Sequence, residues 1–487
     1  MGSGSTRHHR RAIAALAWPV YVELLAGVIA GIIDVAWVAR LGAAATAAVA
    51  LATNLENLVL GLILVSCAGT TVLIAGRSTE AGRRAALRGG VVLAGATTLA
   101  VVGVGLAVRG PVVGLFFGEG EARRAALGFL AISIPGLAVS FAQLMVDSVF
   151  KGLGDTRTPM RLAMGANALI LVLDPTLIYG LGLGVRGAAI ATVSGRALML
   201  AVGLAMVRNR SLGGDSGCDE GGDGDGSVVE EAAASGAIGG TAAGRSPVGT
   251  AVLVKAARRA QGQAAGQAAR RTARPSLRTA LAEALDVARA GAPLGADFVV
   301  RMAGATALAA VVATFGVAAV AAYGIGTKAM YFASMAFYAV RQAATIHTAR
   351  SAPGQSAVIG RATVVVGVSI GGVAALVYAG AAPWIMAAFT GRPEVAAVGV
   401  EYLRWLALYL VPISAVISLS GVMAAGRGRN RLLLVTVGGT GALVVLAHAL
   451  AGPFGLAGVW AAMCGSAALQ CAALLVLLRR ISARTRP

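Results

Sequence analysis

The sequence predicts an all-α integral membrane protein of twelve transmembrane helices, built as two pseudo-symmetric six-helix bundles. Three observations lead there. The mean hydropathy is +0.79. Apolar residues make up 57% of the 487 and charged residues 13%, about half the charge of an ordinary soluble domain. So much apolar surface requires the bilayer as solvent. Apolar runs recur between short polar breaks, and the two halves of the chain repeat each other.

In order, the runs cover 13–38, 46–76, 89–108, 125–150, 160–180, 185–207, 290–314, 317–348, 360–380, 396–423, 431–451 and 455–478. Each can cross a hydrocarbon core of ~30 Å at ~1.5 Å per residue. Arg7, Arg10 and Arg11 precede the first run. Arg77, Arg83, Arg84 and Arg88 follow the second, Lys151 and Arg157 the fourth, and Arg350 the eighth. Arg427 and Arg429 follow the tenth, and Arg479 and Arg480 close the last. The alternate loops are short or nearly neutral. Basic loops stay inside, so both termini are expected in the cytoplasm, with the protein a multi-pass component of the plasma (inner) membrane.

"ARLGAAATAAVALATN" at 39–54 aligns with "ATFGVAAVAAYGIGTK" at 313–328, an offset of 274. Pro19 and Pro293 keep that offset. Six crossings per half is even, so both halves enter the membrane in one orientation, around a central cavity. The expected domains are an N-terminal lobe at 1–208, a linker at 209–279 and a C-terminal lobe at 280–487. The linker opens Gly- and Asp-rich and ends Ala- and Arg-rich, which predicts a disordered cytoplasmic bridge, with an interfacial helix near 250–272 as a second reading. Asp219, Asp223, Asp225 and Glu230 echo a calcium loop only loosely, because Gly221 stands at a ligand position.

Several function classes drop out. The net charge of +20 sits in loops and the linker and has no aromatic-interleaved basic face, so no nucleic-acid partner is expected; membrane lipid is. Cys67, Cys218, Cys464 and Cys471 have neither metal nor disulfide spacing. No metal site, no cofactor and no enzymatic nucleophile–base pair is expected in the spans. "GLGVRG" at 182–187 fits a dinucleotide fingerprint, but no strand precedes it, so a tight interhelical turn is predicted. Trp18, Trp37, Trp384 and Trp405 lie near predicted ends and suit interface anchoring. His347 and His448 are expected to be packed or solvated.

A carboxylate inside a membrane is a functional candidate by default. Asp34 lies ~9 Å inside the outer end of the first span, Asp174 ~9–12 Å inside that of the fifth, and Thr192 ~8–12 Å into the sixth. Pro175 should bend the helix beside Asp174. The repeat supplies a control: Leu308 stands at the place matching Asp34, and Ala447 and Met463 at approximately those of Asp174 and Thr192, so the architecture does not need the acids. Glu23 is different, since its counterpart is Asp297; an acid in both halves predicts structural pairing, with Arg301 one turn from Asp297. Asn54, Glu56, Asn57 and Asp147 are further cavity candidates, with Lys328 and Arg341 facing them from the other lobe.

"IIDVAWVARLG" at 32–42, "FKGLGDTRTPM" at 150–160 and "LVLDPTLIYGLGLGVRGAAIATV" at 171–193 resemble the MATE (multidrug and toxic compound extrusion) transporters, in particular the DinF-like branch. The resemblance covers nearly all of the chain outside the linker. It implies twelve helices in two lobes and export of small organic, often cationic or amphiphilic, compounds by proton or sodium antiport. It further implies that Asp34, Asp174 and Thr192 carry the coupling ion. Many relatives hold an asparagine four residues before the helix 5 acid; here that place is Ile170, and Asn167 stands one turn further back. Sodium would lose an oxygen ligand, which favours protons. A small-molecule substrate and a monomer are expected. The alternative is a lipid-linked precursor flippase of related architecture, which would need an arginine-rich cavity rather than an acidic one.

Overall fold

The computed structural model describes residues 3–212, 277–352, 354–426 and 428–484. Among them the chain is helical and connected by short turns. In order the helices are α1 (Ser3–Ala39), α2 (Ala43–Gly76), α3 (Glu80–Phe116), α4 (Glu121–Gly152) and α5 (Arg157–Pro175), which continues as a π-helical turn at Thr176–Gly180. Then come α6 (Val185–Leu212), α7 (Leu277–Ala313), α8 (Val317–Arg350), α9 (Ser356–Phe389), α10 (Pro393–Ala425) and α11 (Arg429–Arg484). At 56 residues α11 is too long for one crossing. Gly455, at φ 58°, breaks it into two arms, so the protein has its twelve spans. Among the described residues, ten helices are long and apolar enough, by length and composition, to cross a membrane, α11 counting once. The expected linker at 209–279, with its calcium-loop echo and interfacial helix, falls almost wholly at 213–276, outside the described residues.

The helices outrun the apolar windows because hydropathy marks the lipid-facing stretch, not the helix end. For α3 the window begins at 89, yet the helix starts at Glu80. Its first turn is capped by Thr79, whose hydroxyl accepts from the Gly82 amide. The extra turn carries Arg84, paired to Glu80, and Arg88, whose guanidinium clamps Glu283 of α7 at 2.6 Å.

Core packing divides by half at one end of the bundle and merges at the other. Within α1–α6, Val38, Val49, Ala52, Phe129, Ile134 and Ile178 belong to a cluster of N-half residues alone. Leu308, Val312, Tyr402, Trp460 and Met463 form its counterpart in the C half. Toward the end bearing the basic loops, Ile13, Ala17 and Val20 of α1 and Val72 of α2 join a core otherwise built from α7–α11. Arg88–Glu283, Arg77–Asp286 and a His9–His347 contact of 2.9 Å tie the halves there.

The two halves meet most closely where α2 crosses α7. A Cβ on Gly291 would lie 1.8 Å from the Val65 carbonyl oxygen, and one on Gly69 would lie 2.2 Å from that of Val287. Backbone-to-backbone approach of this kind is how helices associate in lipid, where the hydrophobic effect no longer drives them together. Gly291→Ala should therefore lower the melting temperature of the detergent-solubilised protein by several degrees, overpacking costing about 1–3 kcal/mol. Gly95→Ala in α3, where an added Cβ meets nothing, should leave it unchanged or higher.

Candidate functional site

Asp34 and Asp174 meet because two neighbouring features dock α5 on α1. Pro175 has no amide hydrogen and ends the regular α5 ladder; the chain passes at once into the π turn at Thr176–Gly180. Thr176 folds its hydroxyl back onto the carbonyl oxygens of Val172 and Leu173, at 2.5 and 3.1 Å. The turn delivers Tyr179 to α1, where its hydroxyl donates to the Trp37 carbonyl at 2.6 Å and its ring packs edge-on against the indole. Trp37 is thus a docking partner, not merely an interface anchor. Asp34 is one turn before Trp37 on the same helix, so the clasp sets it against Asp174.

The two carboxyl groups approach closely enough for a side-chain hydrogen bond when one carries a proton. Asp174 is 1% exposed, and one oxygen of each carboxyl is buried without a partner. No cation lies within salt-bridge distance of either among the described residues.

The other buried acids are held differently. Asp297, 0% exposed, faces Arg341 at 3.0 Å and accepts from Arg301 at 3.2 Å and from the Thr436 hydroxyl at 2.7 Å. Glu23 accepts from Lys151 at 2.7 Å. The pairing expected of this repeated position is present in both halves, with the cation supplied by different helices. Arg341 stands where the repeat puts Cys67, so it locks Asp297 instead of lining the cavity.

The remaining candidates spread over several surroundings. Asp147 is buried beside Lys151 and Cys67 and accepts from the Gln143 amide at 3.0 Å. Glu56 acts electrostatically on Asp34 from α2. Asn167 is half-buried two turns before Asp174, and Thr192 is half-buried on α6. Asn54, Asn57 and Lys328 are exposed. His347 packs on His9. Sequence reasoning missed Arg196 on α6. It sits within electrostatic range of both Glu56 and Asp34 and donates to the Ser140 hydroxyl of α4 at 2.7 Å. The rule that flags an ionisable group inside a span applies to cations as well as acids, and would have found it.

In the C half, Leu308, Ala447 and Met463 fall together in one core cluster. Places that approximately match Asp34, Asp174 and Thr192 of the N half are packed apolar residues there.

The sequence profile of the MatE family matches residues 19–176 and 293–450. The chain belongs to the MatE family. Its second matched stretch begins and ends 274 residues after the first, the offset read from the repeat. Among curated proteins it is similar to Protein DETOXIFICATION 44, chloroplastic, of Arabidopsis thaliana, at 30% identity over 37% of this chain and 38% of that one. It is also similar to the probable multidrug resistance protein NorM of Thermotoga maritima, at 28% identity over 38% and 42%. The chain thus spans about two fifths of the length of these relatives. Over its whole length it shares the fold of the Vibrio cholerae MATE transporter VcmN in the bent form: TM-score 0.79, 17% identity, 99% of both chains. An outward-facing multidrug resistance MATE family transporter of the MOP superfamily gives TM-score 0.78 and 19% identity over 99% and 98%.

The contrast between locked and unlocked acids predicts opposite stability effects. Asp297→Asn strands two buried guanidinium groups and should destabilise by about 3–5 kcal/mol. Asp174→Asn removes a carboxyl–carboxyl contact and should leave the thermal unfolding midpoint in detergent unchanged or raised. Equal losses in the two melts would contradict the distinction.

Proposed function

We propose that this protein is a secondary active efflux transporter that exports small organic, often cationic or amphiphilic, compounds by proton antiport through alternating access. It acts as a monomer in the plasma (inner) membrane, with the basic end and both termini in the cytoplasm. Residues 1–208 and 280–487 are the two lobes that rock against each other, and 209–279 is a cytoplasmic linker. The observation that carries this reading is the Asp34–Asp174 contact, two carboxyl groups without a clamped cation in one half of a repeated bundle.

Two adjacent carboxyl groups in apolar surroundings favour sharing one proton, because two negative charges there repel strongly. The pair therefore has two states of different charge, and we assign Thr192 of α6 and Asn167 of α5 as further polar groups on the ion's route. Ionised, it attracts a cationic substrate toward Glu56, with Asn54, Asn57, Asp147 and Lys328 proposed as contacts elsewhere along the substrate's path. Protonated, it loses that attraction and releases the substrate. Merged cores at the basic end and separate cores at the other fit a state open to the outside, where protons enter. The protonated N lobe can then reorient and lose its proton to the cytoplasm. Moving one charge through the membrane potential supplies ~2.3 kcal/mol per 100 mV, enough to bias two states separated by a few kcal/mol. A flippase of lipid-linked precursors would need a cationic cavity, and the acids here outnumber the one arginine.

In vesicles containing the purified protein, an imposed pH gradient should drive export of an ethidium-type cation. Asp34→Asn and Asp174→Asn should each reduce this to background while both variants remain folded. Asp34→Asn transport at the wild-type rate would remove Asp34 from the mechanism.

A further inference from the structure

Arg196 lies eleven residues into α6, in the middle of an apolar span, where an unpaired guanidinium is costly. No salt bridge holds it among the described residues. Its side chain is accessible, and its guanidinium reaches across the space between α6 and α4. The rotation of α6 follows from packing. Gly195 turns to α5, where a Cβ would come within 2.7 Å of Ile170, and Val193 fills the notch at Gly136 of α4. Arg196 points between those directions, on the same face as Thr192 one turn above it.

The charged groups around this space are Asp34 from α1, Glu56 from α2, Asp174 from α5 and Arg196 itself. α4 contributes the Ser140 hydroxyl, which accepts from the guanidinium at 2.7 Å. Asp34 and Glu56 thus lie within electrostatic range of one tethered cation that is clamped to neither, and Asp174 joins them through its contact with Asp34. The repeat again supplies a control: "GLGVRG" at 182–187 pairs with "PFGLAG" at 453–458, a local offset of 271, which puts Ala467, fully buried in the C half, at the place of Arg196. Folding a six-helix lobe of this type does not need a cation there.

We propose that Arg196 is the ion-selectivity residue of the N lobe: its fixed positive charge stands in the field of Asp34, Asp174 and Glu56 and keeps sodium out of the acid cluster, leaving the proton as the coupling cation. A sodium ion entering the cluster must approach a permanent positive charge at low dielectric. A proton meets the same repulsion, but its covalent bond to a carboxylate oxygen is strong enough to withstand it, whereas weak sodium coordination is not. Ser140 holds the guanidinium back from the acids, so they remain free to titrate. This inference rests on the proton-antiport reading and deepens it.

The test is binding of radioactive sodium to the purified protein, together with transport driven by either a pH or a sodium gradient. Wild type should bind no sodium and respond to the pH gradient alone. Arg196→Gln should bind sodium, with affinity raised on the order of tenfold or more by loss of one nearby positive charge, and should gain sodium-driven transport. Arg196→Lys keeps the charge and should stay sodium-blind, which a merely structural role for the arginine would not predict. If Arg196→Gln does not fold, Arg196→Met, better suited to an apolar helix, carries the same expectation. Wild type driven by sodium would overturn the proton reading and this proposal together. Wild type driven by protons, with folded Arg196→Gln or Arg196→Met still blind to sodium, would overturn this proposal alone.

Discussion

Two neighbouring carboxyl groups in a hydrocarbon slab cannot both be ionised without a large cost. A bilayer protein that holds such a pair must neutralise it with a fixed cation or leave it to exchange protons. This chain does both, in different places. Asp297 is clamped by Arg301, Arg341 and Thr436, and Glu23 by Lys151. Among the described residues, Asp34 and Asp174 pair with each other and with no cation, Glu56 and Arg196 acting on Asp34 from further off. The clamped acids belong to the scaffold, and the unclamped pair is the one on which the proposed mechanism rests.

The scaffold makes that exchange consequential. Inter-helix approach in lipid depends on small residues and close backbones, and the α2–α7 crossing at Gly69 and Gly291 concentrates such contact near the basic end. The His9–His347 and Arg88–Glu283 contacts close the same end. A lobe held at one end and separately packed at the other can rock. The clasp of Tyr179 on Trp37 lies one turn from Asp34, so a change in charge at the pair acts on the segment that joins α1 to α5. A shift of a few tenths of an ångström there is felt through packed helices, not absorbed.

Much of this was legible in the sequence. Hydropathy gave the twelve crossings, and the offset of 274 gave the twofold plan that the family match at 19–176 and 293–450 repeats. The repeat identified Leu308, Ala447 and Met463, at offsets of 274, 273 and 271, which the fold gathers into one apolar cluster. An acid recurring at Glu23 and Asp297 signalled pairing, and ion pairs are found at both. What stayed hidden has a physical reason. Helix ends extend beyond the apolar windows, so α3 begins nine residues early on a capped, arginine-bearing turn. Partners that come from another helix leave no local trace: nothing in sequence links Lys151 to Glu23, Ser140 to Arg196, or Tyr179 to the Trp37 carbonyl. Arg196 was visible as a cation inside a span, but its setting among three acids depends on how α6 is rotated, and packing at Gly195 and Gly136 fixes that rotation.

The most direct test of the exchangeable pair is infrared difference spectroscopy of the purified protein titrated from acidic to alkaline pH. A shared proton predicts a carbonyl-stretch band of a protonated carboxyl in wild type, absent from Asp34→Asn and shifted or absent in Asp174→Asn. A band that persists unchanged in the double variant, or no titrating band in wild type, would contradict it.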